Sequence, residues 1–151
     1  TLSPEADPEK VRYLRWAALL HECGMIISSS RYHRHGHYIV SNADMPGFSR
    51  LEQDRLATLV LAQRGTLKKV EDKLDTLIST ETVLALRLAV IFAHARKDVA
   101  LPVMDAKRTA EGIEMRMEEV WLNAHPLTDY LLREETEFWS KIGRHLSIQK
   151  F

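Results

Sequence analysis

The chain has 151 residues, 45% of them hydrophobic and 28% charged, which suits one soluble globular domain with a substantial core. Its 21 basic and 21 acidic residues cancel, so the molecule as a whole has no general attraction for nucleic acid or an anionic membrane, and any anion binding must come from local clustering. One cysteine, Cys23, excludes an internal disulfide and fits a reducing, cytoplasmic setting in which it serves as a small buried hydrophobe.

Ser3-Pro4-Glu5 and Asp7-Pro8-Glu9 each read as a helix cap, a first-turn proline and a first-turn acid. The second predicts a helix through Val11, Leu14, Ala18 and Leu19 with Gly24 as its stop, which places His21 and Glu22 in the last turn. Ile26 to Tyr32 is a connector rich in serine. A short helix or turn then carries Arg31, His33, Arg34, His35 and His37, closed by Ala43-Asp44-Met45-Pro46-Gly47. Ser49-Arg50-Leu51-Glu52 is a capping box opening a helix through Leu56, Leu59 and Val60 to Gly65. A shorter charged helix follows through Leu67, Val70 and Leu74.

Glu81 to Lys97 is apolar on most sides and belongs in a core. Arg87 interrupts its longest apolar run, Val83 to Ala95, which falls short of the ~20 residues that cross a bilayer. Val103–Ala106 and Ile113–Glu118 alternate like half-buried strands around a turn at Glu111-Gly112. After the break at His125-Pro126 comes a helix over 127–142, stopped by Gly143, and a last strand at His145–Ile148. The expected fold is mainly α: a helical body over 1–98, and an extension over 99–151 with a small antiparallel sheet and a helix. The chain begins at Thr1 without a methionine, which points to a fragment or a processed chain.

The chemistry concentrates between Arg31 and His37. His33 and His37, one turn apart, share a helix face. Three readings stay open. Arg31, His33, Arg34 and His35, joined by Arg64, Lys68 and Lys69, could grip phosphate, because guanidinium groups bind it bidentately and imidazoles donate to it. His33 with His21 and Glu22 could ligate a divalent metal. The same residues could decorate a helix junction or a dimer interface. Arg87 needs an acidic or phosphate partner if buried, a structural salt bridge being the default, and His94 reads as a core histidine. Trp121 and Trp139 read as packing residues. The scattered aromatics give no nucleic-acid platform, and there is no nucleophile–base pair or glycine-rich phosphate loop.

Leu20-His21-Glu22-Cys23-Gly24, then Ser30, His33, His35, Tyr38, Ile39, Asn42, the run Asp44 to Ser49, and Glu52 closely resemble the C-terminal helical domain of the exopolyphosphatase and guanosine-pentaphosphate phosphatase family. Trp121 to Ile148 is similar to that family's closing segment. Arg31 stands where the family has glycine, His37 where alanine or serine is common, and Gln63-Arg64 where a His-Arg pair is frequent. The resemblance implies a parent hydrolase that removes the terminal phosphate of inorganic polyphosphate, with pppGpp as the alternative substrate. It implies a catalytic centre with Mg²⁺ in N-terminal actin-like domains that these residues do not include. For this chain it implies polyphosphate binding and homodimer formation rather than catalysis. The family's helical domain also resembles the HD phosphohydrolases. His21-Glu22 falls on their ligand dyad and Val90 on their late aspartate, so the resemblance implies a degenerate HD-like domain; a free-standing metal-dependent HD phosphohydrolase is the further alternative.

Overall fold

The computed structural model describes residues 7–94 and 100–151, and these form two compact units, Asp7–Val90 and Ile91–Phe151. The cap expected at Ser3 and the end of the helix expected to reach Lys97 lie outside the described residues. Among the described residues no helix is long and apolar enough to cross a membrane.

The first unit is helical. Asp7 opens α1 (Pro8–Leu20) by accepting from the Glu9 amide at 3.0 Å. A short 3₁₀ segment, Cys23–Ile26, leads to α2 (Tyr32–Asn42). The capping box starts α3 (Arg50–Ala62): the Glu52 amide donates to the Ser49 hydroxyl at 3.1 Å, and the Ser49 amide donates to the Glu52 carboxylate at 2.7 Å. A second 3₁₀ segment, Lys68–Lys73, stands where a short α-helix was expected. It precedes α4 (Thr80–Ala93), whose first amide donates to the Asp75 carboxylate at 2.9 Å. Leu56, Leu59, Val60, Leu67, Val70, Val83 and Leu86 fill the core between α3, the second 3₁₀ segment and α4.

Two local expectations are corrected here. Tyr13 and Ala17 form the buried face of α1, while Leu19 is 83% exposed. The aromatic side carries more apolar area: Trp16 packs on Phe48 at 5.0 Å and Tyr13 meets Trp16 edge-on at 5.5 Å. Gly24 does not stop α1, which ends at Leu20. It lies instead where the 3₁₀ segment crosses α2, and a Cβ there would overlap the Tyr32 carbonyl oxygen and the Gly36 amide. Glycine is required for close approach, which sets the amino end of α2 against the chain that precedes it.

In the second unit β1 (Met104–Arg108) and β2 (Gly112–Met117) pair antiparallel as a hairpin, with Arg108 opposite Ile113. A helix not anticipated from sequence, α5 (Glu119–Ala124), precedes α6 (Pro126–Ser140), and β3 (His145–Lys150) follows. The expected all-antiparallel sheet is mixed, in the order β1-β2-β3, because β3 runs parallel to β2 with Leu146 beside Ile113. Parallel neighbours need a long crossover, and α5 with α6 supplies it. Met115, Met117, Leu122, Leu132, Trp139 and Leu146 are buried in this unit, and Trp139 donates to the Glu135 carboxylate at 2.7 Å. Trp121 stacks on His125 at 3.8 Å, and His94 Nε2 lies 3.2 Å from the Thr128 hydroxyl.

Candidate anion-binding site

The histidine segment folds as a regular helix, α2, whose first turn holds Tyr32, His33 and Arg34. Its N-cap, Arg31, is exposed in the left-handed conformation (φ 53°) and makes no side-chain capping bond. No acid lies in that first turn. A helix amino end carries partial positive charge and favours acidic neighbours, so cations placed there raise the local potential rather than balance it. Unbalanced amides and cations at one helix end are the ingredients of an anion site.

Three further cations converge on the first turn of α2. Arg64, just beyond the end of α3, lays its guanidinium over the Tyr32 ring at 4.9 Å. Lys69, in the second 3₁₀ segment, donates to the Arg64 carbonyl at 2.5 Å. Arg87 of α4 is 2% exposed and donates to the Ala62 carbonyl at 2.7 Å and the Gly65 carbonyl at 2.9 Å. Those two bonds bracket Arg64 and hold its loop. Gln63, also buried, donates to the His21 carbonyl at 2.6 Å and the Val60 carbonyl at 3.0 Å, so the end of α3 is fixed on two sides.

The electrostatic consequence is visible at two groups. His33 is buried, and its Nδ1 has no hydrogen-bond partner. Desolvation first, then the charges of Lys69, Arg64, Arg34 and Arg87, lower its pKa to about 4, so the imidazole is neutral near pH 7. Desolvation, Arg87, Arg34 and Arg64 bring Lys69 down to about 7. The charges that lower these two groups are the cations of the cluster itself.

Of the residues expected from sequence, the structure gathers His33, Arg34 and Arg64. Arg31, His35 and Lys68 are not among the charges acting on His33 or Lys69, and Arg31 and Lys68 are exposed. Lys69, named with Lys68 from the sequence, is the lysine that acts on His33. Arg87 joins through backbone carbonyls rather than only through an acidic partner; the signal for it was a lone arginine in an apolar helix. His37 faces α3 and donates through Nδ1 to the Ala57 carbonyl at 3.0 Å. His21 donates through Nδ1 to the Ala18 carbonyl at 2.6 Å, with its Nε2 at 3.8 Å from the Glu22 carboxylate. Among the described residues no three His, Cys, Asp or Glu side chains stand together as a metal site.

Within this helical unit, then, His33, Arg34, Arg64, Lys69 and Arg87 lie close enough to act on one another. Residues 1–136 match the family model described as Ppx/GppA phosphatase, domain III, and the chain belongs to that family. A guanosine-5'-triphosphate,3'-diphosphate pyrophosphatase of Pseudoalteromonas atlantica (strain T6c / ATCC BAA-1087) is 36% identical over 137 residues, covering 88% of this chain and 27% of that protein. A protein of the same name from Pseudoalteromonas translucida (strain TAC 125) is 32% identical over 134 residues, covering 87% of this chain and 27% of that protein. The chain therefore spans about a quarter of the length of these relatives.

Proposed function

We propose that this chain is the phosphate-gripping domain of a phosphohydrolase that removes a terminal phosphate from a multiply phosphorylated substrate. The catalytic centre and its Mg²⁺ belong to parts of the longer protein beyond these residues. The observation that carries the reading is the first turn of α2, where His33 and Arg34 share an uncapped helix end with Arg64, Lys69 and Arg87 and no acid lies in the turn. Such a site reads phosphate rather than base, since Tyr32, the aromatic ring of the cluster, is already covered by Arg64. It accepts pppGpp and inorganic polyphosphate by the same chemistry. The names of the two relatives favour pppGpp over the inorganic polyphosphate first suggested by the sequence resemblance. Dimer formation belongs to the same reading: Leu19, Ile26 and Ile27 expose apolar side chains around the end of α1.

The test is binding of tripolyphosphate to the 151-residue chain, followed by calorimetry at fixed ionic strength. A charge-assisted hydrogen bond contributes about 1.5 kcal/mol or more, so Arg34→Ala and Arg64→Ala should each weaken binding about tenfold. Raising salt should weaken the unmodified chain more than either variant. Affinities unchanged by both substitutions would refute the assignment.

A further inference from the structure

The cluster joins cations of two kinds. Arg34, Arg64 and Arg87 stay protonated throughout the physiological range, so their mutual repulsion cannot be relieved by losing a proton. Lys69 can lose one. It faces Arg34 and neutral His33 from α2, Arg64 from the end of α3 and Arg87 from α4; within its own 3₁₀ segment lie Lys68, Glu71, Asp72 and Lys73. Lys69 is half-buried beside the Gly65 turn, and a Cβ on Gly65 would lie 3.5 Å from its side-chain nitrogen. The Arg64 carbonyl at 2.5 Å accepts a hydrogen bond from an amine as readily as from an ammonium. The geometry therefore tolerates both protonation states, and the surrounding charge favours the neutral one.

Building on the anion-site reading above, we infer that Lys69 takes up a proton from solvent when an anion enters the cluster, so that the site binds a fully ionised oxyanion and a proton together. An arriving dianion reverses the sign of the field at Lys69 and restores its ammonium, which then donates to the anion. Near pH 7 the free site holds Lys69 about half protonated. Linkage then makes anion affinity fall as pH rises above that point, by up to about tenfold per pH unit until the bound-state value is reached.

Sulfate is the probe, because it is a dianion at every pH used and contributes no protons of its own. Calorimetric titration of the 151-residue chain with sulfate, in buffers of different ionisation enthalpy, reads proton uptake directly. The expected result is uptake approaching one proton near pH 8, with affinity falling several-fold to tenfold from pH 7 to pH 8. Lys69→Arg should abolish the uptake and flatten the pH profile, while His33→Gln should keep the uptake. Sulfate binding without proton uptake, uptake that survives in Lys69→Arg, or uptake lost in His33→Gln would overturn the inference while leaving the anion site standing. No sulfate binding at any pH would overturn the anion-site reading and this inference with it.

Discussion

Gly24→Ala should destabilise the first unit by about 2 kcal/mol and disable the anion site, although Gly24 carries no chemistry of its own. The added Cβ would overlap the Tyr32 carbonyl oxygen and the Gly36 amide nitrogen and lie 2.9 Å from the Tyr32 carbonyl carbon. All three are backbone atoms of α2, so no side-chain rotation relieves the contact, and the 3₁₀ segment must move off the helix. Overpacking of this kind costs about 1–3 kcal/mol and often exceeds the ~0.4–1 kcal/mol that alanine contributes by restricting the unfolded chain. The separation also shifts α2, which carries Tyr32, the ring beneath Arg64, and His33, so tripolyphosphate affinity should fall with stability. Gly36→Ala is the internal control. Its Cβ would meet a side-chain methyl of Val60 at 2.8 Å and Cys23 Sγ at 3.4 Å, and alanine gains about 1 kcal/mol inside a helix, so the net change should stay within about 1 kcal/mol. Urea denaturation followed by far-UV circular dichroism ranks the three proteins. A Gly24→Ala chain as stable as the unmodified one, or less affected than Gly36→Ala, would refute the backbone-contact argument.

His33 predicts a stability loss in acid. Its folded pKa of about 4 lies below the ordinary 6.5, so the unfolded chain binds the extra proton first as pH falls. Stability is therefore lost from about pH 6.5 downward and levels off near pH 4, with about 2 kcal/mol gone by pH 5. Urea melts at pH 7 and pH 5 should show this difference shrinking in His33→Gln by about that amount; an equal loss in both proteins would exclude His33 as its source. Arg87→Met should cost about 2–4 kcal/mol, because the Ala62 and Gly65 carbonyls lose buried donors, and it should also weaken tripolyphosphate binding by releasing the Arg64 loop. A melting curve unchanged by Arg87→Met would show that those carbonyls find other donors.

The sequence by itself determined what depends on near neighbours. The Asp7 cap, the Ser49–Glu52 box and the Glu111-Gly112 hairpin turn are all settled within a few residues, and each is where the pattern placed it. The ordered run from Leu20 to Glu52 likewise carried the family, because a long match of residue types needs no three-dimensional information. Tertiary structure decided which charges meet. Lys68 and Lys69 are adjacent and chemically identical, and only the turn of a 3₁₀ segment against α2 and α4 makes one half-buried and leaves the other in solvent. Arg31 sits beside Tyr32 in sequence, yet its left-handed backbone leaves it exposed and outside the cluster. The role of Gly24 and the parallel direction of β3 were equally out of reach, since both depend on contacts with chain far from them: α2 in one case, β2 in the other. Caps and turns are local free-energy minima that residues encode directly. An electrostatic site is a sum over separated elements, and that sum has no value until the fold has set the distances.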